Sequence, residues 1–239
     1  MIKNKKVFIL GSSSDIGQSL IKIYLEKKYK IIAHYNNGSK KFLKLINKNK
    51  NIIPLKFDLA SNIDKLNIFL QNKDIKKCSV FINAAASLKD IKYEKITSSN
   101  LMETLKTNLI PGVILTKTLG QEMYKRKEGR IVNLSSIGVK FGGGESTFCY
   151  SLSKHGLEFF PKIFKIWAKK NVLINTVRVG LTDTKIHKNL PNKNLKKRIS
   201  LIPMKRMASP IEIAKFIYTL ASGENTYITG EVLSISGGE

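Results

Sequence analysis

The feature that most constrains this chain is a recurring alternation. A short apolar run is followed by a stretch whose apolar residues return at helical spacing, and the pair then repeats. Val7-Phe8-Ile9-Leu10 stops at Gly11, and Asp15 to Lys28 carries Ile16, Leu20, Ile23 and Tyr24 at helical intervals. Further strand-like runs are Lys30 to His34, Ile52 to Phe57, Val80 to Ile82, Ile131 to Leu134, Val172 to Val179 and Glu231 to Ser236. Between them, helices are expected around Phe42 to Ile46, over Ser61 to Asn72, and over Leu101 to Arg126 with a bend at Pro111-Gly112. Two more are expected over Cys149 to Lys169, kinked at Pro161, and over Pro210 to Ser222. Such alternation gives parallel strands with helices on both faces of the sheet. Nothing marks a linker, so residues 1–239 read as one domain of about seven strands. The irregular stretch from Thr184 to Ala208, flanked by regular elements, reads as a lid.

Composition removes several function classes. Lys and Arg total 42 against 17 Asp and Glu, a formal charge of +25. Only five are Arg; the Lys residues are scattered, and Lys, Asn and Ile share A/T-rich codons, so genome composition accounts for much of the charge. No nucleic-acid-binding signature accompanies it. No apolar run approaches the ~20 residues of a membrane span, and the run after the N-terminal basic residues is too short for a signal peptide. Two cysteines, Cys78 and Cys149, cannot build a disulfide framework, which points to the cytoplasm. His34, His155 and His187 have no metal-ligand spacing and read as structural or exposed; Cys149 and Trp167 read as packing residues.

Two groups, and their order along the chain, carry chemistry. GSSSDIG, Gly11 to Gly17, follows a strand and opens a helix, where glycines let backbone approach a pyrophosphate at the helix N-terminus. Alone it equally suits a Ser-rich turn with a helix cap at Ser14 or Asp15. Tyr150 and Lys154 lie four apart on one helix face, a spacing also common among surface pairs. An ammonium near the phenol would lower its pKa and make it a proton donor and acceptor near neutrality. The order along the chain is the discriminating observation: Asn108, Ser136, Tyr150 and Lys154 follow the glycine turn, with Ser136 just past a strand end.

In this order the sequence resembles the short-chain dehydrogenase/reductase family over essentially its whole length. It is most similar to the bacterial 3-oxoacyl-acyl-carrier-protein reductase type. GSSSDIG matches the cofactor turn, NAAA (Asn83 to Ala86) the Asn-Asn-Ala-Gly segment, and KTNLIPG the segment holding Asn108. NLSS, YSLSK and NTVRVGLTDT also match in register, as do IPMKRMASPIEIA and YITGEVLSISGG. The departures are Leu10 for Thr, Asp15 for Gly, Ala84 for Asn and Val179 for Pro. The Ser136-to-Tyr150 interval is also about one residue longer, through Gly142-Gly143-Gly144.

The resemblance implies a single-domain Rossmann-type doubly wound α/β fold and reversible carbonyl reduction or alcohol oxidation with NAD(P)(H). Asn108, Ser136, Tyr150 and Lys154 would be catalytic, with Ser135 the alternative serine. Tyr150 would be the general acid/base. Cofactor contacts would come from Gly11, Ser13, Ser14, Asp15, Ile16 and Gly17, then Tyr35 and Asn36, Asp58 and Leu59, and Asn83, Ala84 and Ala85. Gly180, Thr182, Thr184, Tyr150 and Lys154 would complete them; no metal is implied. Tyr35 occupies the position of the acid that selects NAD(H), so NADP(H) is favoured, with Lys40 or Lys41 supplying charge. A homo-oligomer, tetramer or dimer, is implied. So is a small-molecule or carrier-linked substrate, with Lys127 and Lys170 as basic carrier-docking positions at the cleft rim and Lys193, Lys196, Lys197 and Arg198 added by the lid. The alternatives are a sugar, nucleotide-sugar or other small-carbonyl enzyme, and a non-catalytic cofactor-binding regulatory protein.

Overall fold

The computed structural model of the chain describes residues 2–61, 63–188 and 194–239. Seven strands form one parallel sheet: β1 (Lys6–Leu10), β2 (Lys30–Tyr35), β3 (Ile52–Lys56), β4 (Val80–Asn83), β5 (Gly129–Ser136), β6 (Val172–Val179) and β7 (Val232–Ile235). Their spatial order is β3-β2-β1-β4-β5-β6-β7. The helices are α1 (Asp15–Glu26), α2 (Lys40–Lys48), α3 (Ile63–Leu70), α4 (Lys73–Lys76), α5 (Ser98–Asn108) and α6 (Ile110–Arg126). They continue with α7 (Phe148–His155), α8 (Phe164–Ala168), α9 (Lys185–Lys188), α10 (Leu195–Ser200) and α11 (Pro210–Leu220).

The inner strands β1, β2 and β4 are largely apolar and buried because both faces are covered, whereas the edge strands β3 and β7 are partly exposed. Side chains alternate between the two layers. Val7 and Ile9 pack with Leu20, Tyr24, Phe42 and Ile217 of α1, α2 and α11. Phe8 and Leu10 pack with Phe69, Leu115, Leu119 and Trp167 of α3, α6 and α8. Trp167 closes directly on Gly120, where an added Cβ would lie 2.2 Å from the indole. Arg130 is buried at the start of β5 and its guanidinium donates to the carbonyls of Ser222, Asn225, Gly129 and Asn171. This satisfies a charge that would otherwise be costly in the core.

Two helices differ from expectation. The stretch expected from Leu101 to Arg126 is two helices meeting at Leu109. Pro111, in the first turn of α6, has no amide to continue the α5 ladder. The stretch expected from Cys149 to Lys169 is broken rather than kinked: α7 ends at His155, a 3-10 turn covers Gly156–Glu158, and helix resumes only at Phe164. Pro161 cannot donate to a preceding carbonyl, and it disfavours helix at Phe160. Of the lid expected at 184–208, α9 and α10 are described; Lys193 lies outside the described residues. Among the described residues no helix is long and apolar enough to cross a membrane.

Candidate active site

The sheet order reverses between β1 and β4, and the carboxyl ends of the strands there open into a cavity of about 1200 Å³. Crevices outside strand ends at such a switch point are where open α/β sheets bind ligands. Gly11, Ser13, Ser14, Asp15, Ile16, Asn36, Asp58, Leu59, Ala84 and Ala85 line it, and so do Ser136, Tyr150, Lys154, Gly180, Thr182 and Thr184. Gly17, Tyr35, Asn83 and Asn108 do not line it.

The glycine turn is built for a close approach. Gly11 has φ +80°, and an added Cβ would sit 2.7 Å from the Ala85 backbone; one on Gly17 would sit 2.6 Å from the Gly11 carbonyl. Ser14 is the N-cap of α1: its Oγ accepts from Gly17 N–H at 3.0 Å and donates to the Gly11 carbonyl at 2.8 Å. Asp15 accepts from Lys185 N–H at 2.8 Å, joining the turn to the first residue of α9. A tight turn feeding the N-terminus of a twelve-residue helix fits a dinucleotide pyrophosphate.

His34, read from the sequence as structural or exposed, is buried and lines the cavity. Its Nδ1 accepts from Gly11 N–H at 3.1 Å and its Nε2 donates to the Phe57 carbonyl at 3.0 Å, clamping the ends of β1 and β3 from β2. Burial pushes its pKa down to about 4. Tyr35 points the other way and packs on Phe42, ring centroids 5.4 Å apart. Asn36 and Asn37 face the cavity instead. Asp58 lines it too, its Oδ1 accepting from Ala60 N–H.

Lys154 is buried and its Nζ donates to the carbonyls of Ala85 and Leu134, both at 2.9 Å. Burial lowers its pKa to about 7. Its Nζ lies 5.9 Å from the centroid of the Tyr150 ring. The expectation that Lys154 lowers the Tyr150 pKa is not met: burial pushes the phenol up to about 12, against a smaller lowering by the Ser136 hydrogen bond. An ammonium that burial itself discharges, turned toward two carbonyls, contributes little to a phenolate.

The two candidate serines are separated by geometry. Ser135 Oγ donates to buried Glu158 at 2.7 Å, whereas Ser136 Oγ stays at the cavity and accepts from Gly138 N–H at 3.2 Å. Asn108 is spent structurally. Its amide donates to Ser87 O and Ser153 Oγ, and its Oδ1 accepts from Ser87 N–H. Ser153 Oγ in turn donates to the Tyr150 carbonyl at 2.7 Å. Asn83 is buried and donates to Asn133 Oδ1 at 3.2 Å. The extra glycines turn the chain at φ +68° and +89° for Gly142 and Gly143, and Gly143 and Gly144 line the cavity.

Lys127 and Lys170 are not on the rim. They precede β5 and β6, which pair Gly129 with Val172, and so lie at the amino edge of the sheet, opposite the cavity. Lys197 and Arg198 of α10 do line it, with Arg198 paired to Glu239.

Fold and site together define an oxidoreductase acting on carbonyl or alcohol groups with a nicotinamide cofactor. The chain belongs to the short-chain dehydrogenase/reductase family: a family model described as Enoyl-(Acyl carrier protein) reductase matches residues 11–239. It is similar to the 3-oxoacyl-(acyl-carrier-protein) reductase FabG of Buchnera aphidicola subsp. Acyrthosiphon pisum, with 31% identity over 99% of this chain and 98% of that protein. Among solved structures it resembles "ElxO with NADP Bound", at 27% identity and TM-score 0.83. It also resembles "4-hydroxyisoleucine dehydrogenase complexed with NADH", at 26% and 0.86. Each match covers 98% of both chains.

Proposed function

We propose that the chain is an NADP(H)-dependent carbonyl reductase, with a 3-oxoacyl group on an acyl carrier as its substrate. The observation that carries this reading is that Ser136, Tyr150 and Lys154 line the same cavity as the glycine turn. When bound, the nicotinamide supplies the hydride. Tyr150 gives its proton to the carbonyl oxygen, and Ser136 donates a hydrogen bond to the charge developing there. Lys154 holds the ribose hydroxyls, and Asn108 fixes the Ser87 segment and, through Ser153, the backbone of Tyr150.

No carboxylate follows β2 to repel a 2′-phosphate, and Asn36 and Asn37 supply donors beside Lys40 and Lys41, which supports NADP(H). Exposed Met102, Leu152, Phe159, Ile163 and Ile166 of α5, α7, α8 and their flanks support a homo-oligomer. Two buried free cysteines suit a reducing cytoplasm.

A small polar carbonyl is the second reading. It is favoured by the charged residues Asp90, Glu145, Lys197 and Arg198, which line the cavity alongside the apolar Leu88, Phe141 and Leu201. The test follows nicotinamide absorbance with both cofactors. The substrates are an acetoacetyl group on carrier protein, the same group on a small thiol, and a panel of sugar-derived and amino-acid-derived ketones, over a salt series. A carrier advantage that fades with salt is expected. No carrier advantage at low salt overturns the carrier assignment in favour of the small carbonyl. Cofactor saturation without turnover on any substrate points to a regulatory binding protein.

A further inference from the structure

Beneath the reacting groups lies a carboxylate that the proposed chemistry does not use. Glu158 closes the 3-10 turn after α7, and its side chain is 5% exposed. Oε1 accepts from Ser135 Oγ at 2.7 Å and Arg178 Nε at 2.8 Å, while Oε2 accepts from Arg178 Nη2 at 2.6 Å and His155 Nδ1 at 3.3 Å. Both oxygens are used, and the guanidinium is bound as a fork.

The partners sit on the segments that carry the site. Ser135 adjoins Ser136, Arg178 lies two residues before Gly180, and β5 and β6 pair Ser135 directly with Arg178. Glu158 is four residues beyond Lys154, and the neighbouring Leu157 carbonyl accepts from Thr176 Oγ1 at 2.8 Å.

An ion pair whose carboxylate is buried and whose guanidinium is 23% exposed is a poor way to gain stability, because desolvation offsets much of the attraction. Geometry gives it another use. α7 is only eight residues long and the chain leaves helix from Phe159 to Ile163, so no continuing helix holds the Tyr150 turn against the sheet. We propose that Glu158 and Arg178 are positioning residues, a clasp that fixes Ser136 at the end of β5 at working distance from Tyr150 on α7. This rests on Ser136 and Tyr150 being the reacting groups.

The test compares Glu158→Gln, Ser135→Ala and the paired apolar replacement Glu158→Leu with Arg178→Met, alongside Ser136→Ala. Turnover, KM, cofactor affinity by fluorescence and urea midpoint are measured for each. Misplacement of reacting groups by about 1 Å costs on the order of 10²-fold in rate. Glu158→Gln should therefore lose about 10- to 100-fold in kcat, with cofactor affinity within about threefold. Ser135→Ala, which leaves the ion pair in place, should lose less kcat with little change in midpoint. The paired replacement should recover the urea midpoint but not kcat. Recovery of kcat together with the midpoint would overturn the proposal, because the pair would then be purely structural. So would wild-type kcat in both Glu158→Gln and Ser135→Ala beside an inactive Ser136→Ala, which leaves the catalytic reading standing. Full turnover in Ser136→Ala overturns that reading and the clasp with it.

Discussion

His34→Gln should remove much of the acid sensitivity of this protein between pH 8 and pH 5. The ring is 2% exposed and its two bonds, to Gly11 N–H and to the Phe57 carbonyl, require a neutral imidazole with its proton on Nε2. A second proton on Nδ1 would face the Gly11 N–H. Burial is the main cause of its low pKa, about 4; the Phe57 carbonyl and the Asp58 charge pull it partly back. In the unfolded chain the same ring takes up its proton near ~6.5. Between these values the unfolded state binds more protons, so stability falls as pH falls. At about 1.4 kcal/mol per pH unit the whole interval is worth at most about 3.4 kcal/mol, of which about 2 kcal/mol is lost by pH 5. For a chain of this length that is about 4–8 °C in Tm.

Gln presents an oxygen for Gly11 and an N–H for Phe57 without titrating. Urea unfolding of both proteins at pH 5, 6, 7 and 8 is the assay. The difference between their pH slopes isolates His34, because Lys154 and the other titrating groups are common to both. Parallel slopes would refute the reasoning, since the fold would then not be holding the ring neutral.

Three further outcomes are expected. Tyr150→Phe keeps the ring and should bind NADPH normally by fluorescence, yet lose about 10²–10⁴-fold in steady-state kcat. Asn36→Asp places a carboxylate after β2, and the kcat/KM ratio of NADPH to NADH should fall by about tenfold or more through repulsion of the 2′-phosphate. Gly120→Ala pushes a methyl into the Trp167 indole and should cost about 1–3 kcal/mol in urea unfolding, with kcat unchanged for the folded fraction.

The sheet is legible because its inner strands, buried on both faces, read as short apolar runs. The candidate site residues are legible as a set because their order along the chain survives departures such as Asp15 and Val179. What stayed hidden depended on direction and on partners distant in sequence. Position alone makes Tyr35 a cofactor contact, but the chain alternates its faces along β2, so His34 and Asn36 turn to the cavity and Tyr35 turns to Phe42. The family resemblance implies that Lys127 and Lys170 sit at the rim, yet parallel strands put every strand start at the far edge. A Pro within a helical pattern can kink it or end it; the local sequence around Pro161 is compatible with either. Glu158 has one signal in the sequence: Arg178, a charge near the end of a mostly buried strand, needs a counter-charge somewhere in the fold.

The protonation states favour one direction of the reaction. Burial holds the Tyr150 phenol protonated well past neutrality, pushing it up to about 12, while Lys154 loses its charge around 7 and with it most of its power to stabilise a phenolate. A protonated phenol is ready to give its proton, and an alkoxide forming at a reduced carbonyl is more basic than a phenolate, so the transfer runs downhill. Alcohol oxidation needs the same phenol to give up its proton first, and burial opposes that charge at every pH below its pKa. Reduction should therefore hold a nearly constant kcat from about pH 6 to 9, and oxidation should climb toward tenfold per pH unit over the same range. Both limbs can be followed with one alcohol–ketone pair and the preferred cofactor. Oxidation that is flat with pH, beside reduction that falls, would mean that Tyr150 titrates far below the value its burial sets, and the proton donor would have to be sought elsewhere in the cavity.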